Sequence, residues 1–333
     1  MKRGLFWALL IMGIALTGAA QDYPLRATIS TKMGGDQVEY PPGNIRLFPQ
    51  GPSNEDVAMA ILLQDNGVRA RVLGDKAFHD SFGHLTINDN IENNEAPVDL
   101  VILSGSSGSG DVPNTQPMFD LGIGMMCGEH VCLAQEDKPA KLKMYIGGGT
   151  AHTDWRNTRL RKIRIMDKNH PITKGIETDA DGWVQIFRDP YPNEGYFREP
   201  DETGTIVEWL EPNKLVAATG LYDLRVALGS VNLKADGTQI LGEVSEDELI
   251  AAGKDPDLRS VFAVVDKGGV LADGTKSPCR LVHWIINGEG SGGPGRNFLA
   301  LNAVGRQLFI RSCFWAMGQE IPSNIADFSL YAN

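Results

Sequence analysis

A short apolar run that ends abruptly in a loop of serines and glycines constrains this chain more than any other feature. Val98–Leu103 reads Val-Asp-Leu-Val-Ile-Leu, and Ser104–Asp111 reads Ser-Gly-Ser-Ser-Gly-Ser-Gly-Asp. A brief run rich in branched apolar residues, bounded by turn formers, suits a strand buried on both faces, as in a parallel sheet. A loop of Ser and Gly at the carboxyl end of such a strand lets N–H and hydroxyl groups face a ligand. A plain flexible turn is the competing reading.

The surrounding pattern extends this strand into an α/β fold. Asn44–Phe48 reads as a first strand. Ser53 then caps a helix, with Asp56 three residues on as in a capping box, and Gly67 closes it. Val57, Ala58, Ile61 and Leu62 should face the sheet. Arg69–Leu73 follows as a second strand, Ile123–Cys127 as a fourth and Leu142–Ile146 as a fifth, with a short helix over Thr115–Leu121. Strands alternating with helices predict a doubly wound sheet with right-handed crossovers. The second half carries short strand-like runs at Ile163–Met166, Trp183–Phe187, Ile206–Trp209, Leu215–Thr219, Val261–Val265 and Leu281–Ile286. Asp189–Thr205 and Ala235–Pro256 read as surface insertions, and Ala300–Met317 as a long helix packed on the sheet.

The domain boundaries follow from composition. Lys2 and Arg3, the apolar run Leu5–Leu16 and the small residues Thr17-Gly-Ala-Ala20 have the layout of a signal peptide, so export is expected, to the periplasm or beyond. Residues 21–42 are polar and read as an N-terminal extension, an edge strand or a tail. Residues 43–320 form one domain and 321–333 a C-terminal tail. The run at the start is too short to span a bilayer and no long one follows, so no membrane span is expected. A net charge of -11 argues against nucleic acid, which needs a basic face. Cys127, Cys132, Cys279 and Cys313 could pair if the chain is exported, yet most sit in apolar patterns that suit free buried thiols.

The familiar catalytic signatures are missing. The Ser/Gly loop has Ser109 where a nucleophile elbow needs Gly, and no Lys-Ser/Thr follows to make a phosphate loop. Gly288-x-Gly290-x-x-Gly293 matches a dinucleotide string, but Pro294 and further glycines delay the helix it requires. Gly124-Met-Met126-Cys-Gly128 has elbow spacing with a thioether in the nucleophile slot, and a thioether has no proton to lose. Cys127 is one position off. His283 lies inside a strand and reads as a hydrogen-bonded core histidine. No histidine spacing makes a metal site, and neither a metal nor a cofactor is expected.

Taken together, Val98–Ser104 with Ser106–Asp111, Met125–Glu129, His170-Pro-Ile-Thr-Lys-Gly-Ile176 and Ala303–Phe309 with Trp315-Ala resemble the class I glutamine amidotransferase-like superfamily, nearest its trehalose-utilisation (ThuA-like) branch. The resemblance covers about Ile45 to Gly318. It implies a flavodoxin-like, mostly parallel sheet with helices on both faces, here with β-rich insertions in the second half. Amidotransferases of that superfamily carry a Cys in the elbow and a later His-x-Glu pair. This chain has Met126 in the elbow and no His followed two residues on by Glu, so glutamine hydrolysis is not expected. The branch implies a role in carbohydrate metabolism.

The expected site is a polar cleft where three loops meet: Ser104–Asp111, Cys127–His130 and Asn287–Asn297. Ser106, Ser107, Ser109, Asp111 and Arg296 should contact a small polar ligand, a carbohydrate above all. Two alternatives stay open. One is a carbohydrate-active hydrolase with Glu129, His130 and Glu289 as acid–base groups. The other is a non-catalytic interaction module of the cell envelope.

Overall fold

The computed structural model describes residues 25–31, 38–39, 54–74, 98–107, 115–133, 142–146, 152–158, 161–187, 198–200, 206–209, 224–251, 253–286, 298 and 301–327. In chain order its first half has β1 (Leu25–Thr31), β2 (Val38–Glu39), α1 (Asn54–Asp65), β3 (Val68–Gly74), β4 (Leu100–Leu103), α2 (Gln116–Leu121) and β5 (Gly124–Cys127). Then come β6 (His152–Thr158), β7 (Lys162–Ile165), β8 (Trp183–Gln185), β9 (Arg198–Pro200), β10 (Ile206–Trp209), β11 (Leu224–Gly229) and β12 (Thr238–Glu243). The chain closes with α3 (Glu246–Ala251), β13 (Ser260–Val265), β14 (Leu281–His283) and α4 (Ala303–Ala316).

Twelve strands form one sheet, in the order β2-β3-β1-β4-β5-β14-β13-β12-β7-β8, with β11 on β13 and β6 on β11. The stretch β3-β1-β4-β5-β14 is parallel throughout. The pairings beyond β14, and that of β2, are antiparallel. The expected mostly parallel sheet is therefore a mixed one. Parallel neighbours need crossover connections, usually helical, and antiparallel neighbours do not. Among the described residues α3 is the one α-helix between β6 and β14, and the sheet strands described there pair antiparallel.

Side-chain alternation sorts the core into two faces. Ala27, Ile29, Val68, Ala70, Val72, Leu100, Ile102, Met126 and Val282 pack with Val57–Leu63 of α1 and with Leu308, Phe309 and Ile310 of α4. Val101, Leu103, Met125, Cys127 and Leu281 pack with Met118 and Phe119 of α2 on the opposite face. Helices thus cover both faces of the parallel part, and each fully buried Leu, Ile or Phe contributes about 1.5–3 kcal/mol. Gly67, at φ 78°, ends α1 in the left-handed region, as expected.

Three sequence expectations change. Residues 21–42 hold more than an edge strand or tail: Val38–Glu39 is the short edge strand β2 on β3, but Leu25–Thr31 is β1, paired on both sides by β3 and β4. Leu142–Ile146 is not a strand; it holds a single bridge, Tyr145 to Lys234, although Leu142, Met144 and Tyr145 are buried. Ala235–Pro256 is not a mere insertion, because β12 lies between β13 and β7. Asn44–Phe48 and Leu215–Thr219 fall outside the described residues.

Two motifs behind the family resemblance touch each other. The turn after Asp167 is closed by the N–H groups of Thr173 and Lys174, which donate to the His170 carbonyl. Arg311 of α4 donates to the carbonyls of Ile172 (3.1 Å) and Lys174 (2.6 Å). The His170 ring lies 5.3 Å from that of Trp315.

Candidate functional site

The chain leaves β1 for β3 on one side and afterwards places β4 on the other. The carboxyl ends of β1 and β4 therefore flank a topological switch point, where open α/β sheets leave a crevice. β1 ends in Ser30-Thr31 and β4 runs into Ser104–Ser107; all are buried. α1 begins above this edge and places Glu55 and Asp56 in its first turn. Negative charge is favoured at a helix N-terminus.

These groups form one connected network. The Ser104 N–H donates to Ser30 Oγ (3.1 Å) and the Ser107 hydroxyl donates to the same oxygen (2.9 Å). The Ser106 N–H donates to Ser104 Oγ (3.1 Å), and the Ser107 N–H to the Ser104 carbonyl (3.1 Å). The Ser106 hydroxyl donates to Asp56 Oδ2 at 2.6 Å, while Asp56 Oδ1 has no hydrogen-bond partner. Asp56 is fully buried. Burial pushes its carboxyl up from 3.8 to about 6, against the opposing pull of the Ser104, Ser106 and Thr31 hydroxyls.

The neighbouring strand ends complete the edge. Cys127 closes β5 and Gly128 follows it, with its N–H on the Leu103 carbonyl at 2.9 Å. A Cβ on Gly128 would fall 2.2 Å from the Ile286 carbonyl oxygen and 3.4 Å from the Gly105 nitrogen. The start of the second expected loop is thus wedged between the first loop and the residue where the third begins. At the far end of that third segment, Phe298 donates its N–H to Glu55 Oε2 at 2.9 Å. Glu129, nearly buried, accepts from the Val131 N–H at 3.3 Å through Oε1.

Of the residues expected at the site, Ser106, Ser107 and Glu129 lie at these adjacent strand ends. His130 starts a short 3-10 turn and only its backbone is described. Ser109, Asp111, Glu289 and Arg296 lie outside the described residues, as do residues 287–297 as a whole. Ser30, Thr31 and Asp56 were missed as site groups. The sequence signal for Asp56 is the acidic pair Glu55-Asp56 just after a Gly-Pro-Ser turn, which reads equally well as a helix cap.

The elbow reading does not survive as geometry. Met126 is an interior residue of β5, and neither it nor Glu129 has the positive φ of a strained nucleophile turn; Lys143, at 57°, is the one non-glycine with positive φ among the described residues. The Cys127 thiol donates to the Glu129 carbonyl at 3.3 Å. Burial, then the neighbouring Cys132 thiol, pushes its pKa well above the ordinary thiol range, so it is not a ready thiolate. All four cysteines are free and buried. His283 is the core histidine expected: its Nε2 lies 3.0 Å from the Ala227 carbonyl and its Nδ1 2.8 Å from the Tyr145 hydroxyl. No cluster of metal-ligating side chains occurs among the described residues, and no described helix is long and apolar enough to cross a membrane.

No protein-family model matches the chain, and no curated protein does. Among solved structures, a cytoplasmic protein from Salmonella typhimurium LT2 overlaps 88% of this chain and 99% of its own at 9% identity, with a TM-score of 0.44. A second cytoplasmic protein from Salmonella typhimurium overlaps 88% and 98% at 8% identity, again with a TM-score of 0.44. A candidate GMP synthase subunit from Thermoplasma acidophilum overlaps 88% and 94% at 9% identity, with a TM-score of 0.39. At this strength none of them assigns a family or an activity. The expectation of export is corrected at this point: both Salmonella neighbours are described as cytoplasmic proteins, and the leader-like residues that carried the expectation lie outside the described ones. The three structures add nothing to the motif resemblance, either to the amidotransferase-like superfamily or to its trehalose-utilisation branch.

Proposed function

We propose that the chain binds a small polar ligand, a sugar or polyol, in the crevice between the carboxyl ends of β1 and β4, and does not hydrolyse glutamine. The reading treats the five parallel strands as a flavodoxin-like core of amidotransferase type with an antiparallel extension. One observation carries it: a buried carboxylate with an unpartnered oxygen stands among the hydroxyls of Thr31, Ser104 and Ser106 at the switch point. Hydroxyl and carboxylate groups of this kind match the hydroxyls of a sugar donor for acceptor. The absence of glutaminase chemistry is supported by Met126 inside a strand and by a Cys127 thiol kept protonated.

The test is a thermal-shift screen with neutral sugars and polyols, followed by Ser106→Ala. A ligand at about 100 times its Kd should add about 2.7 kcal/mol of stability. Ser106→Ala should weaken a binder by about tenfold, because it removes one hydroxyl and loosens Asp56. A screen without any shift, or a binder indifferent to Ser106→Ala, would refute the proposal.

A further inference from the structure

A serine- and glycine-rich loop at the end of a strand is ordinarily read as a cradle for an anion, with backbone N–H groups turned toward a phosphate or carboxylate. The described part of this loop is not arranged that way. Three of its N–H groups are already committed: Ser104 to Ser30 Oγ, Ser106 to Ser104 Oγ and Ser107 to the Ser104 carbonyl. The Ser106 and Ser107 hydroxyls are spent as donors too, on Asp56 and Ser30. At Asp56 the open hydrogen-bonding capacity is an acceptor, Oδ1. Next to Asp56 in the same turn, the fully buried Glu55 holds the Phe298 N–H.

We infer that Asp56 is the specificity-determining residue of this crevice, and that its free oxygen accepts a hydrogen bond from a ligand hydroxyl or ammonium, so the site takes neutral polyols or amines and rejects phosphates and carboxylates. This rests on the ligand-binding reading above. An anion brought to this place would meet a carboxylate in surroundings of low dielectric, with the Ser106 and Ser107 donors already spent. A hydroxyl or ammonium donor meets the opposite situation, since it fills a vacancy that otherwise costs the fold a desolvated oxygen. The proton-accepting character of Asp56 accords with this role, because burial has already brought its carboxyl to about 6.

The experiment compares probes of one skeleton that differ in charge: D-glucose, D-glucosamine, gluconate and glucose 6-phosphate, with inorganic phosphate alone as a fifth. Binding is read by calorimetry on the full chain and on Asp56→Asn, whose amide keeps the shape and removes the charge. Glucose or glucosamine should bind at least tenfold more tightly than gluconate or glucose 6-phosphate, and phosphate should not bind. Asp56→Asn should narrow that ratio by about tenfold, and circular dichroism would show that the variant is folded. If an anionic probe binds best and Ser106→Ala weakens it, the assignment of Asp56 is overturned while the crevice remains a ligand site. If no probe binds, both readings fall together. If the ratio is unchanged in Asp56→Asn, discrimination comes from elsewhere and the inference is wrong.

Discussion

Replacing Asp56 by Asn should make the protein more stable at pH 8 and leave it nearly unchanged at pH 4. The carboxyl is fully buried and is pushed from 3.8 to about 6. In the unfolded chain it releases its proton near pH 4; in the folded chain it holds it until about pH 6. Between those values the native state binds more protons, so stability falls as pH rises, and above pH 6 the loss is complete. At about 1.36 kcal/mol per pKa unit the full loss is about 3 kcal/mol. Asn carries no charge and escapes it, but gives up the charge-assisted part of the Ser106 hydrogen bond, about 1 kcal/mol. The net gain at pH 8 is about 2 kcal/mol. The groups around Asp56 support one main titration: Thr31 of β1 and Ser104 and Ser106 after β4 are hydroxyls, and Glu55 beside it is the other acid in the turn. Urea unfolding of both proteins at several pH values isolates the effect, since every other carboxylate cancels in the difference. If Asp56→Asn loses more stability at pH 8 than at pH 4, the charged carboxylate is an asset to the fold, and the reasoning fails. A gain in stability paired with loss of ligand discrimination is the signature of a residue retained for function.

Other perturbations test the frame around the crevice. Gly128→Ala sets a methyl group 2.2 Å from the Ile286 carbonyl oxygen and should cost at least about 2 kcal/mol in urea unfolding; a neutral result would mean these strand ends are not packed so closely. Tyr145→Phe removes the partner of His283 Nδ1 and Ser260 Oγ, both buried, and should cost about 1–3 kcal/mol. Its coupling to Ser260→Ala in a double-mutant cycle should be non-zero, and strict additivity would deny the network. All four thiols should resist a thiol reagent in the native protein and react on unfolding; rapid labelling of Cys127 without unfolding would contradict its burial.

What the sequence makes legible here depends on whether a segment's neighbours are local. β4 could be read because Val98, Leu100, Val101, Ile102 and Leu103 are all buried, leaving a continuous apolar run. α1 could be read from its periodic residues and Gly67. β1 could not, although it is the strand both halves of the parallel stretch are built on. Its Thr28 accepts from the buried Arg71, and Ser30 and Thr31 serve the crevice, so half the strand is polar for reasons that lie on β3, β4 and α1. Leu142–Ile146 fails in the other direction: its apolar residues fill space under the sheet without pairing along it. Asp56 was visible only as a helix cap, since capping and facing a crevice require the same residue at the same place.

The polar interior separates scaffold from site. Where β14 meets β13 and β11, Tyr145, His283 and Ser260 saturate one another. With Nε2–H given to the Ala227 carbonyl, His283 Nδ1 must accept, so Tyr145 donates to it and takes the Ser260 proton in turn. Burial pushes the Tyr145 phenol far above its ordinary range, which keeps that donor in place. A closed circuit of this kind fixes register and has no capacity left for a ligand. At the switch point the circuit through Ser30, Ser104, Ser107, Ser106 and Asp56 is built just as tightly, yet ends on an oxygen without a donor. A buried carboxylate in that state costs the fold stability, and a ligand that donates to its free oxygen would offset that cost.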